Sequence, residues 1–135
     1  MTTQPETAPL NGGIRGWRVL AGGLLIEVML IAVAVPFFAA GRPEIISVVI
    51  VPATLVVAAL CGAWVARGTT APLLNGTLAG VAAFTIYVAM ALVGMLVAPG
   101  QADLTTALSP AYLASHVCKL LGAMAGGLWV ARGRG

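Results

Sequence analysis

The segment Trp-Val-Ala-Arg-Gly at positions 64–68 recurs at positions 129–133 of a 135-residue chain. Each copy follows a long apolar stretch and ends in a positive charge and a glycine, which is typical of a helix leaving a membrane. We interpret the two copies as places where the chain reaches the same membrane surface. Depth in the bilayer can then be counted along each helix from the tryptophan.

The composition indicates an integral membrane protein. The chain is 60% hydrophobic and 8% charged, with a mean hydropathy of +1.03, whereas soluble domains carry about 25% charged residues. The net charge of +3 would suggest nucleic acid as the partner of a soluble chain, but basic patches with interleaved aromatic residues are absent from the sequence. We therefore expect a lipid bilayer, and no nucleic acid, as the partner.

Four apolar spans organise the sequence. They are predicted at residues 17–40, 45–66, 73–97 and 111–131. Each is long enough to cross a hydrocarbon core of about 30 Å, and helices satisfy their own backbone hydrogen bonds there. The predicted fold is all-α, an integral membrane four-helix bundle.

The polar residues 1–13, rich in Pro, Thr and Gly, are predicted to form a disordered tail, and residues 14–135 a single transmembrane domain. Five of the six arginines fall on one predicted side of the membrane, at positions 15, 18, 67, 132 and 134. Positive charge favours the cytoplasmic side. The sequence therefore predicts a multi-pass protein of the cytoplasmic (inner) membrane, with both termini inside.

Amphipathic side chains mark the inner boundary of the predicted bilayer. Indole rings prefer the membrane–water interface, and arginines prefer its cytoplasmic side. The predicted interfacial anchors are Trp17, Trp64, Trp129, Arg67 and Arg132.

The repeat extends beyond the five-residue segment. Leu-Ala-Gly at positions 20–22 recurs at positions 78–80, an offset of 58, whereas the longer segment recurs at an offset of 65. Both hairpins start and end on the same side, so the sequence predicts two parallel-repeat helical hairpins related by an axis along the membrane normal. The alternative is a likeness of composition between Gly- and Ala-rich segments.

Counting from the tryptophans places two charges at one depth. Glu27 lies ten residues from Trp17, and Lys119 lies ten residues from Trp129. Ten helical residues span about 15 Å, which is half of a core about 30 Å thick. The corresponding repeat positions hold Thr85 and Thr54, which completes a predicted mid-membrane polar layer of one residue per helix.

The predicted layer has two interpretations. An unpaired charge at the bilayer centre costs about 3 kcal/mol on insertion scales, so Glu27 and Lys119 are expected to pair. The pair is either structural, fixing the register of the bundle, or it is a proton or substrate site. Burial favours the neutral forms and pairing favours the charged forms, so the protonation state stays open.

Other polar residues in the spans carry weaker signals. Ser115 and His116 lie about one turn before Lys119 and form either a relay toward the outer side or hydrogen bonds inside the bundle. A set of metal ligands, a catalytic nucleophile with its base, and a phosphate loop are all absent from the sequence. We expect no metal, no cofactor and no enzymatic activity.

Small residues four apart recur in three of the spans. The pairs are Ala58 with Gly62, Gly76 with Gly80, and Gly122 with Gly126. Such pairs let helices approach closely in lipid. We interpret them as packing faces within one chain, with contacts to a second copy or another membrane protein as the alternative.

Two resemblances accompany these patterns. Residues 20–28, Leu-Ala-Gly-Gly-Leu-Leu-Ile-Glu-Val, resemble the first helix of small multidrug resistance transporters, which implies proton and cationic-drug binding at Glu27. Residues 62–67, followed by Asn75-Gly76 and residues 78–80, are similar to uncharacterised small four-helix bacterial membrane proteins, including the YrzE-like membrane proteins. That likeness implies the same fold and no activity.

Together these observations predict a non-enzymatic membrane component whose Glu27–Lys119 pair is structural. The alternative is a proton-coupled transporter of small molecules or cations that uses Glu27.

Overall fold

The computed structural model describes residues 13–99 and 109–133, and within them the chain forms helices and no strand. The helices are α1 (Gly16–Ala39), α2 (Pro43–Ala66), α3 (Pro72–Val97) and α4 (Pro110–Arg132). The predicted tail, residues 1–13, lies outside the described residues except for Gly13. Gly13 is held by hydrogen bonds to the loop and helix that follow α2.

Proline begins three of the helices, at positions 43, 72 and 110. Proline suits the first helical position because its missing N–H would have no partner there. These helices therefore begin one or two residues before the predicted spans. The turns after α1 and α2 use Gly41 and Gly68, with φ of 66° and 72°, which glycine adopts without steric cost.

The four helices run alternately up and down. The Arg18 guanidinium on α1 donates to the Arg67 carbonyl oxygen at the end of α2 (2.9 Å), and Gly127 on α4 packs against Pro72 at the start of α3. We call this end, which holds residues 13–18, 64–72 and 127–133, the terminal end. Helices α2 and α3 each pack against all the others, whereas α1 and α4 lie across the bundle from each other.

The distribution of side chains is the reverse of that in a soluble protein. Large apolar residues such as Leu20, Phe38 and Val97 are exposed, while Glu27 and Lys119 are buried. In water the burial of such charges and the exposure of so much apolar surface would both be unfavourable. All four helices are long and apolar enough to cross a bilayer, and we treat the chain as a multi-pass membrane protein.

The tightly packed core occupies the half of the bundle nearer the terminal end. One cluster takes Ile26 from α1, Ala58 from α2, Ala83 from α3 and Ala123 from α4. In contrast, none of the described side chains in 31–39, 44–53, 84–97 and 110–114 is buried. The helices are therefore packed more loosely toward the opposite end.

The predicted small-residue pairs lie at helix contacts within the chain, as expected. A Cβ atom added at Gly122 would lie 2.6 Å from the Leu55 carbonyl oxygen of α2, and one added at Gly80 would lie 2.9 Å from the Lys119 carbonyl oxygen of α4. Gly126 lies closer still to the backbone of α2, at the Ala59 carbonyl oxygen. Helix α4 is thus enclosed by α2 and α3 at distances that only small residues permit.

The positions of the buried residues in paired helices can be compared with the offsets between the repeated segments. In α2 and α4 the buried positions 54, 58, 61 and 62 correspond to 119, 123, 126 and 127, which is the offset of 65. In α1 and α3 the buried positions 19, 22, 23 and 26 correspond to 76, 79, 80 and 83. That offset is one residue short of the 58 taken from Leu-Ala-Gly, and one residue is a rotation of about 100° around a helix.

We expect Gly122→Leu to prevent close packing of α4 on α2, because the new side chain meets a backbone that cannot move aside. The loss should exceed the roughly 1–3 kcal/mol typical of overpacked cores. Gly94→Leu is the matched control, since a Cβ atom there meets nothing within 4 Å. Thermal unfolding in detergent, followed by tryptophan fluorescence, measures both; equal stability of the two variants would contradict this packing.

Candidate functional site

Glu27 lies on the buried face of α1, which includes Val19, Gly23, Ile26 and Leu30. The spacing of three and four residues places these side chains on one stripe of the helix. Gly23 lies against the backbone of α3, so this face of α1 packs closely against α3. The carboxylate of Glu27 therefore enters an apolar core.

Lys119 supplies the partner from the opposite corner of the bundle. Its Nζ donates to Glu27 Oε1 at 2.6 Å, and the two side chains are 3% and 5% exposed. The ammonium also lies 4.9 Å from the centre of the Tyr87 ring, within the range of a cation–π contact. The pair joins α1 to α4, which otherwise lie across the bundle from each other.

Thr54 is fully buried and belongs to the same polar group. Its Oγ1 donates to the Ile50 carbonyl oxygen at 2.6 Å and lies 3.1 Å from Ser115 Oγ. Because a hydroxyl has one proton, Ser115 is the donor to Thr54. This hydrogen bond links α2 to α4 one turn from Lys119.

Thr85 does not join the buried polar residues. Its side chain is exposed on the outside of the bundle, and its hydroxyl donates to the Val81 carbonyl oxygen (3.0 Å) within α3. Helix α3 buries Ala83 and turns Thr85 outward, since each residue along a helix is a rotation of about 100°. Glu27, Thr54 and Lys119 are buried together without it.

His116 is buried but has no hydrogen-bond partner among the described residues. Its ring lies against two aromatic rings of α3, with centroids 5.1 Å from Phe84 and 4.3 Å from Tyr87. Ser115, the other residue of the suggested relay, is bonded to Thr54. The described contacts therefore do not form a continuous chain of hydrogen bonds from Lys119 through these two residues.

The predicted interfacial anchors gather at the terminal end. Trp17 and Trp64 contact each other edge to face, with centroids 6.5 Å apart. The Arg18 guanidinium lies over both rings, at 5.7 Å and 5.5 Å. Trp129, Arg67 and Arg132 are exposed at the same end.

Asn75 is a buried polar residue that the sequence analysis left without a role. Its amide nitrogen donates to the carbonyl oxygens of Ala71 (2.9 Å) and Gly13 (3.2 Å), and its oxygen accepts from the Arg15 backbone N–H (3.0 Å). These hydrogen bonds connect the start of α1 to the start of α3. Asn75 is the one amide side chain in the four helices. A polar group in an apolar span needs hydrogen-bond partners, so the sequence alone could have identified this residue.

The described residues provide neither a cluster of metal ligands nor a disulfide bond. Groups of three His, Cys, Asp or Glu side chains close enough to hold a metal do not occur among the described residues. Cys61 and Cys118 are free thiols. The polar chemistry of the described interior is instead that of one buried ion pair with adjoining hydroxyl and aromatic groups.

Comparison of the chain with protein-family models, with curated proteins and with solved structures gives no match. The two resemblances drawn from short segments therefore stay predictions, and the buried site is the basis for the function proposed below.

We expect Thr54→Val to destabilise the bundle, because it removes the acceptor of the buried Ser115 hydroxyl. The loss should be about 0.6–1.7 kcal/mol, as for hydrogen bonds inside membrane proteins. Thr85→Val is the matched control, since its exposed hydroxyl bonds only within its own helix among the described residues, and its effect should stay within about 0.5 kcal/mol. Detergent unfolding curves compare the two; a larger loss for Thr85→Val would contradict this assignment.

Proposed function

We propose that the chain is a small, non-enzymatic, multi-pass protein of the bacterial cytoplasmic membrane, in which the Glu27–Lys119 pair stabilises and registers the helix bundle. The observation that carries the proposal is the 2.6 Å contact between two buried charged groups. The pair lies across the bundle, where α1 and α4 have little direct packing to fix their relative rotation.

Electrostatics favour a structural role for this contact. Each charge left alone at mid-membrane costs about 3 kcal/mol, and a short charge-assisted hydrogen bond offsets both costs at once. Because a rotation of either helix would separate the two groups, one arrangement of α1 and α4 is favoured over all others. Removal of one partner from such a pair is strongly destabilising, because it leaves a buried charge uncompensated.

The distribution of charge supports an orientation with both termini in the cytoplasm. Arg15, Arg18, Arg67 and Arg132 belong to the terminal end, and Arg42 lies at the opposite end in an ion pair with Glu44 (3.6 Å). The bias toward cytoplasmic arginine makes the terminal end the inner one.

Duplication of a helical hairpin is the origin that we propose for the fold. Both copies of Trp-Val-Ala-Arg-Gly end a helix, α2 in one hairpin and α4 in the other. Thr54 and Lys119 occupy corresponding buried positions in these two helices. The acid and the base thus belong to different hairpins, and their contact ties the two hairpins together.

A proton-coupled transporter that uses Glu27 is the second candidate. The observation that favours it is the change in packing at the pair: the bundle is tight on the terminal side and looser on the other. Buried His116, with neither ring nitrogen bonded among the described residues, lies on that looser side. A small solute approaching from there would meet His116 before the ion pair.

Charge neutralisation distinguishes the two candidates. For a structural pair we expect Glu27→Gln and Lys119→Met each to lose folded yield, by the equivalent of about 3–5 kcal/mol, because each leaves one buried charge unpaired. The double variant should recover folding, since neither charge remains. Size-exclusion profiles and unfolding curves of the four proteins provide the measurement.

Flux in liposomes provides the second readout. A transport site predicts that Glu27→Gln stays folded and loses proton-coupled uptake of small cations that the wild type shows. A structural pair predicts no such uptake by either protein. Normal folding of both single variants together with absent uptake would contradict both candidates.

A further inference from the structure

The terminal end carries positive charge without carboxylates to neutralise it in the described chain. Its described arginines are Arg15, Arg18, Arg67 and Arg132. The described carboxylates are engaged elsewhere, with Glu27 bonded to Lys119 inside the bundle and Glu44 beside Arg42 at the opposite end. The described part of the terminal end therefore has an excess of positive charge.

A cavity of about 350 Å³ opens among these charges. It is lined by Arg67, Gly68, Trp129, Val130 and Gly133. All five belong to the two copies of the repeated segment, so the cavity lies between the ends of the two hairpins. Its volume is within the range of roughly 300–1,000 Å³ that small-molecule sites occupy.

The backbone around Arg67 is fixed by its neighbours. The Arg18 guanidinium donates to the Arg67 carbonyl oxygen (2.9 Å), and Gly68 turns the chain with φ of 72°. Trp129 is 64% exposed beside the cavity, and an indole prefers the level of lipid headgroups. The lining residues thus include an arginine, whose guanidinium can bind phosphate oxygens in pairs, and a tryptophan, whose ring suits the interface.

Helix dipoles act in both directions at this end. Helices α2 and α4 end here, and their carbonyl groups disfavour an anion, whereas α1 and α3 begin here and favour one. The cavity is lined by residues at the ends of α2 and α4 only, so the helix-end effect there opposes an anion, and the positive charge of Arg67 must outweigh it.

We propose that this cavity binds the phosphate group of an anionic phospholipid, with Arg67 as the main ligand and Trp129 beside the glycerol region. A lipid is favoured over a soluble anion because α4, which lines the cavity, also exposes large apolar side chains such as Met124 and Leu128. Acyl chains joined to the bound phosphate would lie along these side chains. The proposal does not depend on the role of the Glu27–Lys119 pair.

The test is lipid binding by the purified full chain in neutral detergent micelles, measured by native mass spectrometry. The probes are dioleoyl phosphatidylglycerol and, as the zwitterionic comparison, dioleoyl phosphatidylcholine. We expect the wild type to retain phosphatidylglycerol preferentially and Arg67→Gln to raise its apparent Kd about fivefold, as expected for one basic side chain at an anionic surface. Arg67→Lys should recover part of the lost affinity, because lysine keeps the positive charge but lacks the planar guanidinium group.

Two controls separate a site from general attraction. Arg132→Gln removes a charge at the same end from a residue outside the cavity lining, and Arg42→Gln removes one at the opposite end. Both should change the Kd less than Arg67→Gln does. If Arg67→Gln does not fold, Trp129→Ala, which truncates an exposed side chain, replaces it and should also weaken binding.

Three results would overturn the proposal. One is equal retention of the two lipids by the wild type. Another is an Arg132→Gln effect as large as that of Arg67→Gln, which would indicate diffuse charge without a site. The third is displacement of the bound lipid by millimolar inorganic phosphate or glycerol phosphate, which would indicate a site for soluble anions.

Discussion

In the proposed function the bundle depends on one charge-assisted hydrogen bond in an apolar interior, from Lys119 Nζ to Glu27 Oε1. In a bilayer the hydrophobic effect does not drive helices together, so specific contacts must select one arrangement from many. An acid on α1 and a base on α4 do so, because each is costly without the other. The contact joins the two helices that lie across the bundle, which their own packing fixes least.

Small residues make this contact reachable. Gly23 lets α1 approach α3, and Gly80 and Gly122 let α3 and α2 close on α4. The backbone distances are short enough for the Lys119 side chain to cross the bundle and lie beside Tyr87. Packing and electrostatics are thus coupled: a larger residue at a contact would separate the charges as well as the helices.

Much of this arrangement follows from the sequence because hydrocarbon thickness and helical rise are fixed lengths. They relate the two tryptophan-ended segments to the expected depth of Glu27 and Lys119, and at the offset of 65 both Thr54 and Lys119 are buried. At the offset of 58 Glu27 is buried and Thr85 is exposed, because depth changes little with one residue of register while direction changes by about 100°. The Asn75 bonds to Gly13 and the isolation of His116 depend on tertiary contacts, which no periodicity encodes.

The most direct test of the account is the Lys119–Glu27 distance in a lipid bilayer. The chain has a single lysine, so ¹⁵Nζ labelling is specific, and solid-state NMR dephasing against ¹³Cδ-labelled glutamate reports the pair. The account predicts strong dephasing that is lost in Glu27→Gln, as the 2.6 Å contact requires. Dephasing no stronger in the wild type than in Glu27→Gln would contradict it.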